Sequence, residues 1–105
     1  MYANSFNNNS TEEIKKNIVY FDDEAIKIIK NSKIYEFNYK KEKDNEKKHI
    51  GFVIGDKYET PRQIIDENNQ GIDMYSMTSI LWKAIQEQQE QIEELQRKIK
   101  ELEDK

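Results

Sequence analysis

The chain has 105 residues, 35% hydrophobic and 36% charged, with 17 basic against 21 acidic side chains for a net charge of −4. That is enough for one small domain and too little apolar material for a large core around a deep substrate pocket, so self-association is expected to complete the core. With no cysteine and a single histidine, His49, disulfides, thiolate zinc sites and a cysteine nucleophile are excluded. A His-based metal site is disfavoured for the same reason, as are a nucleic-acid partner by the acidic balance and a membrane partner by the shortness of the apolar runs.

Residues 1–9 are uncharged and asparagine-rich and read as an extended lead-in, the tail of a longer polypeptide. Their first residues do not form a signal peptide, since Met-Tyr-Ala-Asn runs into polar residues. Ser10-Thr11-Glu12-Glu13 has the capping-box spacing. It predicts a helix start with Ser10 as cap, a short helical turn through Lys15 and Lys16, and an extended stretch near Ile18, Val19 and Tyr20. Phe21 to Asn31 predicts a clearer helix, capped by Asp22, with acid in its first turn and Lys27 and Lys30 towards its end. Phe21 and Ile26 take the hydrophobic-staple positions. Ala25, Ile26 and Ile29 share a face expected to pack on a sheet.

Residues 34–40 alternate, with Tyr35, Phe37 and Tyr39 on one side and Glu36, Asn38 and Lys40 on the other, as in a half-buried strand. Lys41 to Lys48 mixes both charge signs and reads as a solvated hairpin connection. Ile50-Gly51-Phe52-Val53-Ile54 is the second strand, antiparallel to the first. His49, beside the lysine-rich turn, reads as structural or solvated. Residues 57–72 are irregular around Pro61, with a short turn of helix at Arg62 to Asp66 and a turn signal at Asn68-Asn69-Gln70-Gly71. Asp73 then caps a helix that no later Gly or Pro interrupts. From residue 74 to the end it would extend roughly 48 Å at about 1.5 Å per residue.

The apolar spacing of this helix is heptad-like. Leu81, Ile85, Ile92, Leu95, Ile99 and Leu102 fit alternating steps of four and three when Gln88 fills one polar core position. With Ile92 and Ile99 at a, the d residues are Leu81, Gln88, Leu95 and Leu102, and Lys98 at g faces Glu103 at e across a parallel interface. Glu93–Arg97, Glu94–Lys98 and Glu101–Lys105 are i,i+4 pairs in the favourable order. The stripe is too narrow for a globular face, which argues against a lone helix folded back on the domain. Isoleucine at a with leucine at d leans towards two strands, and the pattern alone leaves two or three open. Met74, Met77 and Trp82 read as core against the small sheet. Taken locally, Ser10 is a helix cap and Lys15 a surface lysine.

Several blocks converge on one family. They are Tyr2-Ala3-Asn4-Ser5-Phe6; Ser10 with Lys15 five residues on, followed by Asn17-Ile18; Ile34-Tyr35-Glu36-Phe37-Asn38-Tyr39; His49-Ile50-Gly51-Phe52-Val53; and Gly71 to Met77 followed by Leu81 to Glu87. In order and spacing they resemble the self-cleaving C-terminal intramolecular chaperone domain of phage tailspikes, tail fibres and neck appendages, the endosialidase-type serine–lysine autoproteases. The resemblance implies an α+β fold in which a small N-terminal α/β part with a short antiparallel hairpin precedes a long C-terminal helix in a parallel trimeric coiled coil. Residues 1–9 would end the upstream fibre, 10–72 form the small chaperone part and 73–105 the coiled-coil helix. It implies a homotrimer, against the dimer lean of the a/d residues, and a second partner in the upstream fibre of the same polypeptide. Ser10 is then the nucleophile and Lys15 its general base, cleavage falls next to Ser10, no cofactor or metal takes part, and the work is done in the host cell cytoplasm during phage assembly. Thr11, Glu12 and Glu13 depart from the family's usual residues after the serine. A five-residue offset on an ideal helix places two side chains about 140° apart, so a Ser10–Lys15 pair needs an irregular turn or partners from adjacent subunits. The other readings are a non-cleaving trimerisation module of a phage fibre and a coiled-coil adaptor unrelated to phage.

Overall fold

The computed structural model describes residues 9–105, so the block at Tyr2 to Phe6 and nearly all of the expected extended lead-in lie outside the described residues. The order of elements is a 3-10 turn at Glu12–Ile14, helix α1 at Ala25–Lys30, strand β1 at Tyr35–Phe37, strand β2 at His49–Gly51, a second 3-10 turn at Arg62–Ile64 and helix α2 at Met74–Glu103. The architecture is α+β, with a short antiparallel hairpin and one dominant C-terminal helix. In the hairpin Tyr35 faces Gly51, Glu36 faces Ile50 and Phe37 faces His49. Both strands are shorter than the alternation predicts. Ile18 to Tyr20 belongs to no helix or strand.

The core is small. Ala25, Ile64, Ile80 and Ala84 are buried, with Ile26, Ile28, Phe52, Ile72 and Met77 packed around them. Helix α1 therefore lies on α2, which also carries the second 3-10 turn, and not on the sheet. Two three-residue strands offer too little surface to cover a helix, whereas α2 presents a full stripe through Met77, Ile80 and Ala84 at helical spacing. Ile28, rather than the exposed Ile29, is the inward residue of α1. Of the three residues expected as core at the start of α2, only Met77 joins it. Met74 is 63% and Trp82 69% exposed. Trp82 is two positions from buried Ile80, and residues so spaced do not share a helix face.

The Asp73 cap forms as the sequence predicts: the Ser76 backbone N–H donates to Asp73 Oδ1 at 3.1 Å and the Ser76 hydroxyl to Oδ2 at 2.9 Å. The helix then leaves the domain. Every residue from Gln88 to Lys105 is exposed. In the single chain the seam is bare, with Ile92 at 48%, Leu95 at 58%, Ile99 at 55% and Leu102 at 67% exposure. Arg97 pairs with Glu94 and Glu101, and Gln89 donates to Glu93, in place of the predicted Glu93–Arg97 pair.

Candidate functional site

Ser10 and Lys15 flank the first 3-10 turn. One turn is too short for a capping box, and the cap position falls to Thr11, which makes no side-chain capping bond. The expectation that Ser10 caps a helix is thus corrected. Its hydroxyl instead lies 2.8 Å from the Tyr75 hydroxyl. Lys15 follows the turn in an extended conformation, and its ammonium stands over the Tyr75 ring, 5.9 Å from the centroid. Asn17 takes the left-handed conformation at φ 55°, which asparagine tolerates better than most side chains, and redirects the chain just beyond. Ser10 and Lys15 are both exposed.

Tyr75 is the residue that local sequence reasoning missed. It is held by the start of α2, which a loop fixes in place. The Asp66 N–H donates to Gly71 O at 2.9 Å, Ile65 bridges Ile72, and the Asp73 N–H donates to Ile64 O at 2.7 Å. A Cβ at Gly71 would come within 2.9 Å of Asp66 Oδ2, so a larger residue there would displace that carboxylate. Beside the site, Val19, Tyr20, Phe21, Tyr75 and Trp82 line an open groove along α2.

A second cluster holds the N-terminal half against the helix. Helix α1 begins at Ala25 with Glu24 at its cap position and no side-chain bond from it, so Asp22 is not the cap and the Phe21–Ile26 staple register is lost. Glu87, on α2, caps α1 from outside, accepting from Ala25 N–H at 2.8 Å and Ile26 N–H at 2.9 Å. A carboxylate has two oxygens and a helix N-terminus has orphan N–H groups and positive potential, so the match is favourable. Lys83 Nζ donates to Glu87 at 2.8 Å and to the Asp23 carbonyl at 2.6 Å, beneath the rings of Tyr20 and Phe21. The Lys83 hydrogen bond, followed by those from Ile26 and Ala25, holds the Glu87 carboxyl down at about 2 from its ordinary 4.5.

A carboxyl depressed in the folded state contributes stability that is full above its unfolded pKa and lost as pH falls through the folded one. Acidification from about 4.5 to about 2 should therefore loosen α1 from α2. The check is amide hydrogen exchange at Ala25 and Ile26, whose protection relative to the unfolded chain should fall over that window. Glu87→Gln should flatten the dependence. An unchanged acid profile in that variant would contradict the assignment.

Residues 10–56 match the model of the peptidase family described as chaperone of endosialidase. This is the family the sequence resembles. The matched segment carries Ser10, Lys15 and both strands of the hairpin; Tyr75 and α2 lie beyond it. Neither a curated protein nor a solved structure matches the chain.

Within the matched segment, His49 is a hairpin staple. Its Nε2 lies 3.0 and 3.1 Å from the Glu42 carboxylate oxygens, and its ring lies 4.8 Å from that of Tyr39 and 5.6 Å from that of Phe37. Glu42 also accepts the Tyr39 N–H at 2.7 Å. Those bonds, the His49 one foremost, hold its carboxyl below the usual range. The lysine-rich connection is thus pinned by one of its own acids, a structural role for His49 as expected.

Proposed function

We propose that this protein is an intramolecular chaperone that assists folding and trimerisation of a phage tail fibre, tailspike or appendage, and is released by cutting itself from that fibre next to Ser10. The observation that carries the assembly half is the bare seam of α2. Every residue of the heptad stripe from Gln88 onwards is exposed in the single chain, and three parallel copies would enclose it. The family match at residues 10–56 supports the chaperone half. Assembly would take place in the host cell cytoplasm, with the upstream fibre of the same polypeptide as the second partner.

In the cleavage step Ser10 Oγ adds to the carbonyl of the adjacent peptide bond while Lys15 Nζ takes the hydroxyl proton. The amide nitrogen then leaves with a proton, an ester forms on Ser10, and water hydrolyses it. A lysine serves as base only in its neutral form, which burial and nearby positive charge favour. A neighbouring subunit packed over the exposed groove beside Tyr75 would supply that burial, so cutting would wait for assembly.

The test expresses the chain behind its upstream fibre, or behind a trimeric stand-in, and resolves the products on a denaturing gel. The wild type should release a fragment that Ser10→Ala and Lys15→Ala do not, with loss of essentially all cleavage. Intact chains in all three would favour the second reading, a trimerisation module that never cuts. Glu12 and Glu13, which place two carboxylates between Ser10 and Lys15, favour that reading.

A further inference from the structure

Ser10 and Lys15 sit on either side of the first 3-10 turn, and neither belongs to a helix or strand that would fix it relative to the other. One side chain reaches both. The Tyr75 hydroxyl lies 2.8 Å from Ser10 Oγ, and the face of the same ring carries Lys15 Nζ at 5.9 Å from its centroid. These contacts bridge 65 positions of sequence in the first case, from the lead of the chaperone segment to the first turn of the long helix.

We propose that Tyr75 is the positioning residue of the self-cleavage centre: its hydroxyl aims the Ser10 oxygen while its ring seats the Lys15 ammonium. The inference rests on the reading of Ser10 and Lys15 as nucleophile and base. A serine hydroxyl can take three rotamers, and a hydrogen bond at 2.8 Å selects among them. A cation within about 6 Å of a ring face is attracted by the ring quadrupole, which supplies a dock for the lysine that the extended backbone at Lys15 does not. Tyr75 is also the second residue of α2, anchored by the Asp73 cap and the Ile64 backbone contact. Any force that sets α2 in an assembled bundle is thereby transmitted to both reacting groups through one ring. This answers the geometric difficulty of the five-residue offset: the pair is organised by a third residue from the assembling helix, not by the turn between them.

The experiment uses the full chain behind its upstream fibre and follows cleavage in trimers isolated by size exclusion, so that chemistry is read apart from assembly. Tyr75→Phe keeps the ring and loses the hydroxyl. It should slow cleavage by about tenfold or more, the loss expected of one well-placed hydrogen bond at about 1.4 kcal/mol per decade. Tyr75→Leu loses both contacts and should be slower still. The same Tyr75→Phe change is then made with Ser10→Cys. A thiol is intrinsically more nucleophilic and a weak hydrogen-bonding group, so the penalty should shrink to less than about threefold. A general structural defect would slow both backgrounds alike. Cleavage of Tyr75→Phe at the wild-type rate overturns the proposal while leaving Ser10 and Lys15 in place. So does a loss of rate matched by a loss of trimer. If the wild type is not cut, or Ser10→Ala is cut as fast, the self-cleavage reading itself fails and takes this inference with it.

Discussion

Replacing Ile92 and Ile99 together by aspartate should leave the 105-residue chain monomeric. Both side chains are about half exposed in the single chain, so covering the rest of each in a bundle is worth about half of the roughly 1.5–3 kcal/mol of a full burial. Losing two per helix therefore removes at least about 1.5 kcal/mol per chain, about tenfold in association, before the larger cost of burying carboxylates is added. Both positions lie beyond Glu87, where every residue of the helix is exposed. The hairpin and the α1–α2 contact should accordingly persist while the helix beyond Gln88 frays. Sedimentation velocity at matched concentration checks the mass, and hydrogen exchange checks the fraying. If assembly gates cleavage, the same variant should stop cutting its upstream fibre. A double variant that sediments with the wild type would remove the seam from the account.

Ile80→Ala should cost about 2–5 kcal/mol, read as a fall in the urea midpoint. The buried cluster has four members, and two of them are alanines, so Ile64 and Ile80 supply its large side chains. Small domains hold about 5–15 kcal/mol in total, and the loss is a large share of that. Ile80 also sits between Met77 and Ala84 on the stripe of α2 that meets α1, so the cavity would open where the helices are joined. Ile50→Ala, at a position 75% exposed, should change stability by no more than about 0.5 kcal/mol. Equal effects at the two positions would contradict the placement of the core.

The parts of the fold that sequence revealed are those fixed by neighbours in the chain. Helix α2 was legible because Asp73, an uninterrupted run and a heptad stripe are local signals, and the helix forms over Met74–Glu103 with that cap. The hairpin was legible from the alternation around Tyr35 and Phe37, though its strands stop early once the aromatic cluster and the Glu42–His49 bond take over. The boundaries of α1 were not legible. Its cap comes from Glu87, 62 positions away, and no local pattern near Asp22 announces that. The same holds for the candidate site. Ser10 and Lys15 stand out by their spacing and by the family resemblance, whereas Tyr75 reaches Ser10 only through the tertiary fold, and its own neighbourhood reads as an ordinary first helical turn. Trp82 misled for a related reason: a large aromatic near a helix start suggests core, but its angular position puts it on the side that the single chain leaves open.

That open side leads back to the bare seam. The most direct measurement is the absolute mass of the wild-type 105-residue chain by light scattering at micromolar concentration. Three times the 12.6 kDa of one chain is the predicted value. A species of 12.6 kDa, with the long helix still formed, would contradict the account.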